Sequence, residues 1–259
     1  VIDANYFHLT ERDRMAHLSN VSFDAATWEI WGAFLNGASL VIFSKEQLLT
    51  PEAFAGEVAR TQVNCVFITT ALFNAFAIHQ PKLFPQLKYL LFGGEACDPQ
   101  QVRKIARQYK PQHFLHVYGP SENTTYSTWF EIHDVADNAL TVPIGRSISG
   151  STAYILDKNM QPVPVGVAGE IYVGGDGLAI GYLNDPEKTA GSFVPHPFAA
   201  GNDERVYKTG DLARYTEEGY IEILGRSDDQ VKIRGFRIEL GEVEAQLTRL
   251  DAVREAVVV

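Results

Sequence analysis

The sequence predicts an α/β protein: a mostly parallel sheet with helices on both faces, then a β-rich, barrel-like part and the start of a small α+β domain. Three observations carry this. From about residue 24 to 130, strand-like and helix-like stretches alternate, the pattern of a parallel sheet covered by helices. After about residue 140 the chain turns to short β-rich runs separated by Gly, Pro and Asp-Lys-Asn turns. Last comes a charge-dense stretch, "GRSDDQVKIRGFRIELGEVE", ending in a helical pattern. The expected units are 1–140 (α/β), 141–227 (β-rich) and 228–259 (a hinge and an incomplete small domain).

The elements follow in order. "AATWEIWGAFL" holds Ala25, Trp28, Ile30, Trp31, Phe34 and Leu35, which suits a helix buried on more than one side. "SLVIF" reads as a strand, and "PEAFAGEVAR" as a helix opened by Pro51. Strands "CVFI", "YLLF" and "FLHV" then alternate with helices "ALFNAFAIHQ" and "PQQVRKIARQY". Farther on, "STAYILD", "GEIYVGG", "RVYKTGDLARY" and "GYIEILGR" read as strands, and "GEIYVGGDGLAIGYL" as a hairpin. "QVKIRGFRIEL" suits paired strands around Gly235. "GEVEAQLTRLD" places Val243, Leu247 and Leu250 on one helical stripe, and "AVVV" begins a further strand.

Composition narrows the function. The 259 residues suffice for a substantial core. A formal net charge of −10 disfavours nucleic acid as a partner, because phosphate contacts need a basic surface. No run of eighteen apolar residues suggests a membrane span. Cys65 and Cys97 lie in apolar surroundings without metal-ligand spacing, as expected of buried thiols in a reducing cytoplasm. The chain lacks an initiator Met and is expected to be a piece of something longer.

Four stretches offer chemistry. "HVYGPSENTTY" follows a strand, where an α/β sheet places its ligand. Glu122 there suits Mg²⁺, and Ser121 and Thr124 offer hydroxyls to phosphate. "GEIYVGGDGLAIGYL" is glycine-rich but lacks the Gly-Lys-Ser/Thr ending of a phosphate loop. "YKTGDL" presents Asp211 after a tight turn, a geometry suited to a ribose diol. Arg226 opens the last stretch and can pair with phosphate or ribose. Taken singly, each is equally a capped turn, a hairpin or a solvated loop.

Together, in this order, "FDAATWEIW", "VYGPSEN", "GEIYVGGDGLAIGYL", "YKTGDL" and "GRSDDQVKIRGFRIELGEVE" resemble the adenylation domains of nonribosomal peptide synthetases, within the adenylate-forming enzymes. The resemblance covers essentially the whole chain. It implies an ATP-dependent ligase that joins an amino acid to AMP, releases pyrophosphate and passes the acyl group to the phosphopantetheine of a peptidyl carrier domain. Neighbouring synthetase domains, such as condensation domains, are implied too. Carried onto this chain, Glu122 is the Mg²⁺ ligand and Ser121 contacts the α-phosphate. Gly93, Gly94, Glu95 and Ala96 line the adenine with Tyr118 and Gly119. Asp211 holds the ribose, Arg226 assists near the ribose or phosphate, and Asp228 is the hinge. Asp24 holds the substrate ammonium. Ala25, Trp28, Phe67, Leu91, Gly93, Val117, Thr125 and Tyr126 surround the side chain, whose expected nature is hydrophobic, leucine-like first and aromatic second.

This chain departs from the pattern at His116, where the family has Asn. The family's phosphate loop and its C-terminal catalytic Lys are expected before Val1 and beyond Val259, so these 259 residues alone are expected to make no adenylate. The rival expectations are an acyl-CoA ligase of the same superfamily, which Asp24 disfavours, and a non-catalytic nucleotide- or amino-acid-binding piece.

Overall fold

Seven strands form the first sheet: β1 (Arg14–His17), β2 (Ser39–Ile42), β3 (Cys65–Thr69), β4 (Tyr89–Gly93), β5 (His113–Tyr118), β6 (Thr128–Glu131) and β7 (Arg146–Ser147). Their spatial order is β2-β1-β3-β4-β5-β6-β7. Pairings among β1 to β5 are parallel, while β6 and β7 add on antiparallel. The crossovers use helices α1 (Ala25–Leu35), α2 (Lys45–Leu48), α3 (Pro51–Thr61), α4 (Thr70–His79) and α5 (Pro99–Gln108). The computed structural model describes residues 1–48, 50–199, 204–228, 230–233, 236–250 and 253–258.

Helix starts follow local chemistry. Thr50 precedes Pro51, and its side chain accepts from the Ala53 N–H. Asp98 precedes Pro99 and accepts from the Gln100 N–H. A side-chain acceptor satisfies an orphan N–H, and Pro at the first helical position has no N–H to satisfy.

Alternation along the parallel strands builds two cores. Leu90, Phe92 and Phe114 join Phe54, Phe73, Phe76 and Phe84 on one face. Tyr89, Leu91, Leu115 and Val117 join Trp28, Tyr6, Phe7 and Tyr126 on the other. Phe73 is fully buried and its ring centroid lies 4.5 Å from that of Phe92 and 5.7 Å from those of Phe84 and Phe114. Phe73→Ala is therefore expected to destabilise by about 3–5 kcal/mol, read as a lower urea midpoint.

The second sheet is antiparallel: β8 (Ser151–Leu156), β9 (Gly169–Gly175), β10 (Phe193–Pro195), β11 (Arg205–Tyr215) and β12 (Ile221–Arg226), with α6 (Pro186–Ser192) before β10. Its core includes Ile155, Ile171, Val173, Phe193 and Tyr207, and Tyr118 of the first sheet joins it. A two-stranded pair follows, β13 (Val231–Ile233) with β14 (Phe236–Ile238), then α7 (Leu240–Leu247). Gly235, expected between those strands, lies outside the described residues.

Three expectations are corrected. Helix α1 buries one side only: Ala26, Trp28, Glu29, Gly32 and Ala33 are buried, while Trp31, Phe34 and Leu35 are exposed. "GEIYVGGDGLAIGYL" is not a hairpin. Its first half is β9, paired with β8 and β11, and both edges of β9 are thereby occupied. Its second half runs on as a loop. Finally, residues 253–258 form no strand. A strand needs a neighbour for its N–H and C=O groups, and here the Val258 N–H goes instead to the Glu244 side chain. The stripe residues Val243, Leu247 and Leu250 of the C-terminal segment are exposed.

Candidate active site

Strands β3, β4 and β5 end side by side: Thr69 pairs with Gly93, and Gly93 with Val117. A cleft of about 810 Å³ opens at these carboxyl ends, in the size range of small-molecule sites. Gly93 permits the close approach, since a Cβ there would stand 2.1 Å from the Val117 carbonyl oxygen.

Beyond β5 the chain makes a 3₁₀ turn, Ser121–Asn123, and then places Thr124 (φ 51°) and Thr125 (φ 66°) in the left-handed region. Two successive β-branched residues there are strained by about 1–3 kcal/mol each. Their hydroxyls help to hold them: Thr124 Oγ1 donates to the Gly177 carbonyl at 2.7 Å, and Thr125 Oγ1 to the Asp24 carbonyl at 2.8 Å.

Asp24 precedes α1 but does not cap it. Its Oδ2 accepts from the Thr125 N–H at 3.1 Å, and the residue lines the cleft. Ala25, Phe67, Gly93, Val117, Thr125 and Tyr126 line it as well. Trp28 and Leu91 do not; they lie in the core beneath, 2% and 0% exposed, with the Trp28 ring 6.1 Å from Tyr126.

The second sheet supplies Asp211 and Arg226. The register of β11 against β9 shifts between Lys208 and Leu212, around Gly210 at φ 76°. Such a bulge re-aims side chains, and Asp211 reaches the cleft. Asp211 Oδ1 accepts from Arg226 Nη1 at 2.8 Å, and Oδ2 from the Tyr118 hydroxyl at 2.5 Å. Arg226 also holds Asp228 through two bonds of 2.7 Å. Burial and the adjacent Asp211 push the Tyr118 hydroxyl well above its ordinary pKa, so it stays a donor. A carboxylate has about four lone-pair positions, and Tyr118 and Arg226 each take one on Asp211.

Glu122 is held by residues that sequence reasoning missed. Its Oε1 accepts from the Tyr182 hydroxyl at 2.6 Å and the Tyr207 hydroxyl at 2.9 Å. Burial, then Glu122, raise the Tyr182 pKa. The loop that carries Tyr182 also runs against the 121–124 turn, where the Ala179 N–H donates to the Glu122 carbonyl at 2.8 Å. Tyr182 lies in the glycine-rich stretch and Tyr207 opens "YKTGDL", but neither motif pointed to these tyrosines as partners of Glu122.

A second cavity of about 480 Å³ adjoins the first. Glu95, Ala96 and His116 line it, and Gly94, Tyr118, Asp211 and Arg226 line both cavities. His116 stacks on Phe92 with centroids 4.9 Å apart. Its Nδ1 lies 2.9 Å from the Pro143 carbonyl oxygen, which can only accept, so Nδ1 carries the proton. Burial lowers its pKa from 6.5 to about 4, against the pull of the Pro143 and Val142 carbonyls. The unfolded chain therefore binds more protons between these values, and stability rises with pH across that window. From pH 7.5 to 4.5 the protein is expected to lose about 2–3 kcal/mol that His116→Gln does not lose, measured as the difference in urea midpoints at the two pH values.

Among the described residues no helix is long and apolar enough to cross a membrane, and no group of three or more His, Cys, Asp or Glu side chains could hold a metal.

A twisted sheet with its cleft beyond the strand ends, closed by a carboxylate–arginine pair from a second sheet, fits a nucleotide-handling enzyme. The family model described as AMP-binding enzyme matches residues 1–183, and the chain belongs to that family. It is 45% identical over 258 residues to bacitracin synthase 1 of Bacillus licheniformis and 47% identical over 258 residues to tyrocidine synthase 3 of Brevibacillus parabrevis. Each match takes in 100% of this chain, but only 5% and 4% of those proteins. A solved nonribosomal peptide synthetase protein containing adenylation and carrier (PCP) domains, bound to a vinylsulfonamide inhibitor, superposes with a TM-score of 0.90. It is 34% identical, over 98% of this chain and 44% of that one.

Proposed function

We propose that this chain is the part of an adenylation domain that holds an amino acid and the nucleoside end of ATP. A substrate carboxylate oxygen attacks the α-phosphorus, the bond to pyrophosphate breaks, and aminoacyl-AMP results. The phosphopantetheine thiol of a peptidyl carrier domain then attacks the acyl carbon, the bond to AMP breaks and AMP leaves, within a cytoplasmic synthetase that carries neighbouring domains such as condensation domains. The observation that carries this reading is the presence in one cleft of Asp24 and of the Tyr118–Asp211–Arg226 group.

Each residue has a physical task in it. Asp24 pairs with the α-ammonium, a charge-assisted hydrogen bond. Ala25, Phe67, Val117, Thr125 and Tyr126 receive the side chain without adding a second charge, which favours a hydrophobic amino acid, leucine-like first and aromatic second. Trp28 and Leu91 support that lining from behind. Tyr118, Gly119 and Gly93 to Ala96 flank the adenine, and Asp211 accepts from the ribose hydroxyls. Arg226 assists beside it, and Asp228, bonded to Arg226, is the hinge. Ser121 donates to the α-phosphate.

The residues fit Mg²⁺. A single carboxylate, Glu122, oriented by two tyrosine hydroxyls and flanked by Ser121, suits an ion that completes its shell with phosphate and water. Bound there, the ion would neutralise phosphate charge. The testing experiment is amino-acid-dependent ATP–pyrophosphate exchange by the protein that carries this chain, run over a panel of amino acids. Best turnover with Asp, Glu or Lys would overturn the side-chain assignment. Turnover with fatty acids and none with amino acids would overturn the function.

A further inference from the structure

Glu29, in the second turn of α1, is a charged residue with no solvent exposure. Its carboxylate meets four groups: His17 Nδ1 at 2.6 Å, the Leu18 N–H at 3.2 Å, the Ser19 N–H at 3.2 Å and Ser19 Oγ at 2.8 Å. All four belong to the last residue of β1 and the two residues after it. Burying a carboxylate is costly unless it is paired and hydrogen-bonded. Here each oxygen faces at least one backbone N–H, a group that can only donate.

The segment so held is the loop from Leu18 to Asp24. Leu18, Ser19, Asn20, Phe23 and Asp24 all line the cleft. At its far end the loop is tied to Thr125, through the Asp24 side chain and carbonyl. At its near end it is tied to Glu29. The Asp211–Arg226 pair stands on β11 and β12, in the other sheet. The loop anchored by Glu29 thus carries the amino-acid end of the cleft and not the ribose end.

We infer that Glu29 is a positioning residue for amino-acid recognition: it sets the 18–24 loop and, through it, the place of Asp24. This rests on the reading of Asp24 as the ammonium partner. The test uses the full-length protein with Glu29→Gln, Ser19→Ala and Asp24→Ala, and reads two quantities. One is the KM for amino acid against the KM for ATP. The other is the preference for the amino acid over its analogue lacking the amino group, taken from competitive binding.

Glu29→Gln is expected to raise the amino-acid KM about tenfold, since small misplacements of a recognition group are costly. The ATP KM should stay within about twofold, and the preference for the ammonium should shrink about as much as the amino-acid KM rises. Ser19→Ala, which removes one donor from the same carboxylate, should show the same pattern at about threefold, and it keeps the test open if Glu29→Gln does not fold. Equal loss for both substrates, or an unchanged ammonium preference beside a lowered melting temperature, would leave Glu29 purely structural and overturn the inference. If Asp24→Ala also keeps the preference, the Asp24 reading has failed. If Asp24→Ala abolishes it while the Glu29 and Ser19 variants keep it, only the positioning role has failed.

Discussion

Asp24→Ala is expected to lower kcat/KM for the amino acid about a hundred- to a thousandfold, while the KM for ATP changes little. Truncating one partner of a desolvated charge pair costs about 2–5 kcal/mol, and about 1.4 kcal/mol is a factor of ten. The loss should fall mainly on KM, because an ammonium held by Asp24 as proposed would be bound equally in ground and transition states. Asp24 also accepts from the Thr125 N–H and, through its main chain, from Thr125 Oγ1. Asp24→Asn is therefore the needed control. Its amide oxygen keeps the bond to Thr125 while the charge is gone, so a loss shared by both variants belongs to the ammonium pair. Exchange assays over a range of amino-acid concentrations check this; a loss confined to Asp24→Ala would assign the effect to the Thr125 contact instead.

Asp211→Asn is expected to cut kcat/KM for ATP by about a hundredfold, nearly as much as Asp211→Ala. The reason lies in the donors around it. Tyr118 donates to one oxygen and Arg226 to the other; the guanidinium cannot accept, and the Tyr118 hydroxyl accepts only by giving up its own donation to residue 211. An amide nitrogen therefore either meets a donor at Arg226 or leaves the Tyr118 O–H without its acceptor, so the conservative substitution is not conservative. Leaving a buried donor unsatisfied costs about 1–3 kcal/mol, on top of the ribose contacts proposed for Asp211. Arg226 keeps its two bonds to Asp228, so its guanidinium stays paired. Calorimetric titration with AMP, set beside the amino-acid KM, separates a nucleotide defect from a general one.

The strands beyond which the cleft opens were legible because their apolar runs are short and separated by clear helix starts at Pro51 and Pro99. Asp24, Glu122, Asp211 and Arg226 were legible as carboxylates and a guanidinium in motifs of fixed order. The faces of α1 were not. Apolar counting registers Trp31, Phe34 and Leu35 but not which side packs, and the buried polar Glu29 sits on the side that does. The second half of the glycine-rich stretch was misread for a related reason. Gly-rich alternation suggests a hairpin, yet β9 finds its partners in β8 and β11, and the remaining residues are free to serve as a loop. Tyr182 and Tyr207 lie 60 and 85 residues from Glu122, and a tyrosine hydroxyl gives no hint in sequence of so distant an acceptor. His116 was visible as an oddity; its neutral, stacked state is a product of burial.

The loop between Gly177 and Tyr182 has a practical meaning for protein engineering. It touches the 121–124 turn through Gly177, Ala179 and Tyr182. A chimera that grafts the stretch from Asp24 to Tyr126 out of one synthetase into another, to change what it activates, severs the chain between parts that share these bonds. The natural exchange unit is longer. Its downstream junction belongs beyond Tyr207, so that Glu122 travels together with both tyrosines that orient it.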